Sequence, residues 1–208
     1  MTGASHYFTN VAQEILDFWF GTGDTLGKNR PQWFQKDAGF DEEIRTRFLA
    51  VYEAAIQTQT QTQTQTEGSP SAYGWKQPGD GLALIVLLDQ FPRNMFRQNA
   101  RAFATDSLAR ETTRQMLAQG FDNAMRPVER QFIYLPLEHS ESLADQTQSV
   151  ALFNTLSAFP ETRELHLWAE KHRVIIERFG RFPHRNSALG RDSTAEEIIF
   201  LAQPGSGF

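Results

Sequence analysis

The sequence predicts an all-α fold of antiparallel helix pairs, and three observations carry that prediction. Apolar residues recur at helical spacing along most of the chain, capping residues and Gly or Pro fall where such segments begin and end, and strand signals are nearly absent. Seven or eight helices joined by short connections follow. A chain of 208 residues is long enough for one well-buried core, so one all-α domain spanning residues 1–208 is expected.

The elements can be justified in order. Thr9 or Asn10 is placed to cap a first helix whose Val11, Ile15, Phe18 and Trp19 share a face, and Gly21 closes it. Pro31-Gln32-Trp33-Phe34 reads as a short helical turn. Asp41 opens a second major helix with Ile44, Phe48, Leu49, Tyr52, Ala55 and Ile56 on one side. Residues Gln57 to Thr66 are five Gln-Thr dipeptides, a tract with no apolar face that reads as a polar extension or loop. Glu67 to Gly79, rich in Gly and Pro, is a connector able to carry Trp75 into the core, so residues 57–79 stand as an insertion within the domain.

Asp80 then caps a helix from Gly81 to Gln90 that is apolar all round, which requires neighbours on every side. Thr105 or Asp106 caps the next, which ends at Gly120. Pro127 suits the first position of a helix running to Pro136. Ser140 starts another that reaches about Ala158, and Pro160 or Glu161 a long one that ends near Gly180. That helix carries Leu165, Trp168, Ala169, His172, Ile175, Ile176 and Phe179 on its apolar face. Ser193 with Glu196 makes a capping box for the last short helix.

Composition excludes several classes of function. The net charge of -5 gives no whole-molecule field for nucleic acid or anionic lipid, so any anion must meet a local cluster. Absence of cysteine excludes disulfides, thiolate metal sites and a cysteine nucleophile. No leader pattern opens the chain, and the longest apolar run, Leu82 to Leu88, is far short of the ~20 residues that span a bilayer, so a cytoplasmic protein with no membrane partner is expected. Phosphate-binding loops, dinucleotide fingerprints, nucleophile elbows, zinc fingers and RNA-binding motifs are all missing, and no cofactor is implied.

The chemistry-bearing feature is a motif that occurs twice, Phe91-Pro92-Arg93-Asn94 and Phe182-Pro183-His184-Arg185-Asn186. Each sets a helix-stopping proline before groups able to hold an anion or an ordered polar network. The first copy delivers Asp89, Gln90, Arg93, Asn94 and Arg97 from a buried helix, where unpaired polar groups are costly. Around the second, His172 faces inward and Arg178, Arg181, His184, Arg185, Asn186 and Arg191 follow; such a concentration of cations needs acids or a bound anion. A third cluster is Glu138-His139-Ser140-Glu141. It offers a base with its orienter, while its spacing is not that of a zinc protease and no metal is assigned; Ser140 as a cap with Glu141 in the first turn is the structural alternative.

Together with Ile15-Leu16-Asp17-Phe18-Trp19-Phe20-Gly21, Tyr134-Leu135-Pro136-Leu137 and Pro204-Gly205-Ser206-Gly207-Phe208, these motifs resemble, in order and over nearly the whole chain, the bacterial domain-of-unknown-function family 924. The resemblance implies a superhelical bundle similar to tetratricopeptide-repeat proteins and implies no established activity. The residues themselves show helix pairs and no clean 34-residue repeat.

Three readings follow. In the first, Arg93, Arg97, Arg181 and Arg185 contact an anionic small molecule or peptide carboxylate, Asn94 and Asn186 orient it, and Asp89 and Glu138 hold the arginines; the two Pro-bearing motifs must then converge. The second is a hydrolase or transferase on a phosphorylated or carboxylated substrate, with His139, His172 or His184 as general acid or base. The third is a structural polar network with a protein-binding outer surface. Oligomeric state is not encoded in these patterns.

Overall fold

A computed structural model describes residues 3–63 and 77–207, with side chains over 11–57 and 77–207. The α-helices are α1 (Gly3–Phe20), α2 (Ala38–Gln63), α3 (Pro78–Ile85), α4 (Phe91–Met95), α5 (Asp106–Ala118), α6 (Pro127–Glu138), α7 (Leu143–Thr155), α8 (Leu165–Phe179), α9 (Asn186–Leu189) and α10 (Ala195–Leu201). A π-helical segment, Val86–Gln90, joins α3 to α4 in one unbroken path, so the described residues form nine helices, the short α9 among them. The described residues contain no strand, and none of their helices is long and apolar enough to cross a membrane.

Local chemistry moves several of the expected boundaries. With no Gly or Pro after Gly3, α1 begins well ahead of Thr9. Its last carbonyls are met by Arg30, which donates to Phe18 and Trp19 at 2.5 and 2.7 Å, and by the Trp33 indole, which donates to Trp19 at 2.9 Å. Gly21 then turns the chain at φ +78°. The cap of α2 is Asp37, whose Oδ1 accepts from the amides of Gly39 and Phe40 at 2.9 and 3.1 Å, so Asp41 is not the opening residue.

α2 also runs on through Gln63 into the Gln-Thr tract, so of the two expectations, a polar extension or a loop, this part is an extension of the helix. Adding residues to an existing helix is far easier than starting one, and Gln is a good helix former. Trp75 and the end of the tract lie outside the described residues. Further along, Ser142 and not Ser140 stands at the start of α7, and the final capping box is Thr194 with Glu197, one residue beyond Ser193 and Glu196. Trp168 is half exposed on α8, with Lys171 over its ring, while Ala169, His172, Ile175 and Ile176 turn inward.

The α3–α4 path is the axis of the fold. Leu82, Leu84, Ile85, Val86, Leu87 and Leu88 are buried, covered by α1, α5 and α6, while α2 packs on α4. Trp19 is fully buried among Trp33, Phe40, Phe91 and Phe132, its ring centroids 5.6–6.2 Å from theirs. Helices α5 to α8 pack on one another in chain order.

Pro92 does not stop this helix as its residue type suggests; the path continues to Met95. A proline lacks an amide hydrogen and its ring crowds the carbonyl four residues earlier, here that of Leu88. The widened turn solves both difficulties. The Phe91 amide bonds back to Val86, and the Leu88 carbonyl accepts from the Thr105 hydroxyl at 2.6 Å. Thr105→Val, of nearly the same shape, should leave that buried carbonyl unsatisfied and lower the unfolding free energy by about 1–3 kcal/mol in denaturant titration; an unchanged value would mean that Leu88 needs no partner.

Candidate functional site

The α6–α7 turn positions the first group. Pro136 is accommodated inside α6, which continues to Glu138 and leaves His139 as its final cap. Gln146 of α7, fully buried, donates to the carbonyls of Glu138 and Ser140 at 2.5 and 2.7 Å and so fixes the turn. Ser140 donates to Asp145 at 2.7 Å and accepts from the Ser142 amide. His139 Nδ1 lies 2.8 Å from Oδ1 of Asp89 on the π segment.

That carboxylate is wholly buried and also receives Gln90 at 2.5 Å and Arg93 at 3.2 Å. Burial pushes Asp89 up, but Arg93 and His139 outweigh it and hold the carboxyl at about 2. Asp89 is therefore an acceptor near neutral pH, Nδ1 of His139 is the donor, and Nε2 carries the lone pair. Burial and the Arg93 charge keep the His139 imidazole below its ordinary range.

Asp106, first residue of α5, joins the two repeated motifs. Arg93 grips it with both terminal nitrogens at 2.9 and 3.1 Å, and Arg185 reaches the same carboxylate at 3.4 Å. Thr105 turns its hydroxyl to Leu88 and makes no side-chain cap bond to α5, while the Asp106 carboxylate is held by the arginines. The second motif is seated by Glu141, which accepts from the Phe182 amide at 2.8 Å and from Arg191 at 2.7 and 2.9 Å. Arg185 lies between the rings of Phe103 and Phe182, 4.7 and 4.5 Å from their centroids.

These groups line a cleft of about 300 Å³ whose walls include Phe103, Asp106, Arg110, His139, Glu141 and Arg185. Behind it, Glu138 Oε1 stands 3.1 Å from His172 Nδ1, which also faces the Trp168 carbonyl at 2.9 Å. Distance alone would make this an ion pair. Both groups are instead neutral near pH 7, because burial and the neighbouring Asp89 push Glu138 up to about 8, and burial brings His172 down to about 3. His184, its ring tilted against that of Phe182, is lowered by burial and by Arg185 to about 4.

The remaining predicted residues lie elsewhere. Asn94 and Arg97 both bond Asp41 of α2, at 2.7 Å for Asn94 and at 2.5 and 2.8 Å for Arg97, beside a separate cleft of about 490 Å³. The arginines of that larger cleft are taken: Arg45 by the Met95 carbonyl and Arg101 by Glu53. Arg181 grips Glu197 of α10 at 2.6 and 2.8 Å. Asn186 bonds Ser193 and Arg191. Asp89 holds Arg93, whereas Glu138 faces His172 and no arginine.

The sequence did not place Ser107, Arg110 or Leu189 at the cleft, and it offered Asp106 as a candidate cap. A Thr-Asp pair at a helix start offers two side chains for one capping role. That redundancy was the available signal for Asp106.

Fold and cleft together define an all-helical protein with a polar, arginine-bearing site at the meeting of two proline motifs. The chain belongs to the family described as bacterial protein of unknown function (DUF924), which matches residues 15–205. It is similar to the solved structure of a protein of unknown function from Agrobacterium tumefaciens, with 37% sequence identity and a TM-score of 0.74 over 93% of this chain and 98% of that one. No curated protein matches it.

Glu138 gives a pH test. Its ordinary value is 4.5 and its folded value about 8, so the folded state keeps a proton that the unfolded chain releases first. This contribution to stability is full below pH 4.5 and is lost as pH rises to about 8. Buried neutral histidines slope the other way, so the difference between variants is the readout. Across that window the wild type should lose stability relative to Glu138→Gln; parallel curves would show an ordinary, ionised carboxyl.

Proposed function

We propose that this is a cytoplasmic protein that binds an anionic group of a small molecule, or a peptide carboxylate, in the cleft at Arg185. The observation that carries the reading is the incomplete pairing of that side chain. Arg185 is 6% exposed, its Nε has no hydrogen-bond partner, and its contact with Asp106 is a single long one of 3.4 Å. Burial and the neighbouring Arg93 lower it to about 10, which still leaves it charged near neutral pH. A guanidinium offers five N–H donors in a planar fork, and leaving them unused in a buried place is costly. A carboxylate or phosphate oxygen supplies the missing acceptors.

A second reading, a hydrolase or transferase, is favoured by one specific observation. The Asp89–His139 pair has the form of a base held in one tautomer by a buried carboxylate, and His139 lines the same cleft as Arg185. An anion held at Arg185 would then be part of a substrate.

Thermal unfolding across phosphate- and carboxylate-bearing metabolites tests the first reading. A ligand at a hundred times its dissociation constant adds about 2.7 kcal/mol to the folded state. The expected result is a rise in Tm for the wild type that Arg185→Met abolishes. A panel without any shift would contradict it.

A further inference from the structure

Resting on that anion site, the geometry points to the kind of oxyanion it accepts: one that carries a hydroxyl, so that the cleft takes hydrogen phosphate and rejects sulfate. We infer this from the hydrogen-bonding polarity of the groups that share the cleft.

Arg185 supplies only donors, and its unpaired Nε requires an acceptor. His139 supplies the opposite. Its Nδ1 proton is committed to Asp89 at 2.8 Å, and none of the hydrogen bonds among the described residues uses Nε2, so the ring atom left for the cleft is an acceptor. Asp89 fixes this arrangement from a wholly buried position where it accepts from Gln90 and Arg93 as well. Reversing the imidazole would strip the carboxylate of one of its donors.

Asp106 and Glu141, the carboxylates of the same cleft wall, are acceptors too, each already holding arginine. A ligand must therefore accept from Arg185 and donate to Nε2. Inorganic phosphate near neutral pH always keeps one P–O–H besides its anionic oxygens, whereas sulfate has oxygens alone. Sulfate would press a charged oxygen against a lone pair, or would need His139 to take up a proton. The second route is opposed by the burial and the Arg93 charge that hold this imidazole below its ordinary range.

The two anions have nearly equal size and, at slightly alkaline pH, nearly equal charge. Screening, nonspecific attraction to arginine and steric fit therefore cancel in the comparison, and what remains is the hydrogen. A site built to receive a hydroxyl discriminates strongly against an analogue that lacks it.

The experiment is calorimetric titration of the whole protein with sodium phosphate and with sodium sulfate, at about pH 7.5 and matched ionic strength. Phosphate should bind at least about tenfold more tightly than sulfate. His139→Ala should weaken phosphate while sulfate holds or gains, closing the gap; a merely structural role for His139 would weaken both alike. Equal affinities in the wild type would overturn the inference and leave the anion site standing. Binding of neither anion would remove the anion site itself, and the inference with it. The wild-type comparison decides the matter even if the variant does not fold.

Discussion

A proline inside a wholly buried helix is the constraint from which the site follows. Pro92 cannot donate to Leu88 and cannot lie against its carbonyl, yet the surrounding apolar helices leave the chain nowhere to turn aside. The widened π turn is the local solution, and it sets the direction of Asp89 and Gln90 at its end. The orphaned Leu88 carbonyl then claims the Thr105 hydroxyl, which removes Thr105 from capping α5. Asp106, the next residue, gives its carboxylate to Arg93 and Arg185. One missing amide hydrogen is thus answered by Thr105, the neighbour of the residue that joins both motifs.

The electrostatics of the cleft are arranged by pairing and burial together. Arg93 is satisfied, with two bonds to Asp106 and others to Asp89. Arg185 shares Asp106 at longer range and gains its surroundings mainly from two phenylalanine rings. Deeper in, Glu138 and His172 avoid the cost of two buried charges by remaining neutral. Charge is retained at Asp89, Arg93 and Arg185, where it faces either a partner or the cleft.

Much of the fold was legible in the sequence because helix chemistry is local. The apolar run of residues 82–88, Gly21 and Gly180 at helix ends, and Pro127 at a first position all depend on near neighbours. Some boundaries shifted by local chemistry, as at the Asp37 cap and the helical part of the Gln-Thr tract, and at others a tertiary partner decided. Pro92 stays within its helix where Thr105 meets the Leu88 carbonyl, and Ser140 is drawn from capping by Asp145. The repeated motif marked the two segments that meet at Asp106 through Arg93 and Arg185, and Arg185 and His139 line one cleft. Asn94, Arg97, Arg181 and Asn186 look alike in sequence but are taken by Asp41, Glu197 and Ser193, partners that no spacing along the chain reveals.

The central claim is that Arg185 is held for a ligand and is not a strut of the fold. Denaturant unfolding of the wild type and Arg185→Met in anion-poor buffer tests it most directly. Asp106 would keep both bonds from Arg93 after the substitution, and a methionine would still fill the space between Phe103 and Phe182. Removing an under-paired buried cation should then leave stability unchanged or raise it. A loss of about 3–5 kcal/mol, the usual consequence of breaking a buried ion pair, would contradict the account and make Arg185 part of the scaffold.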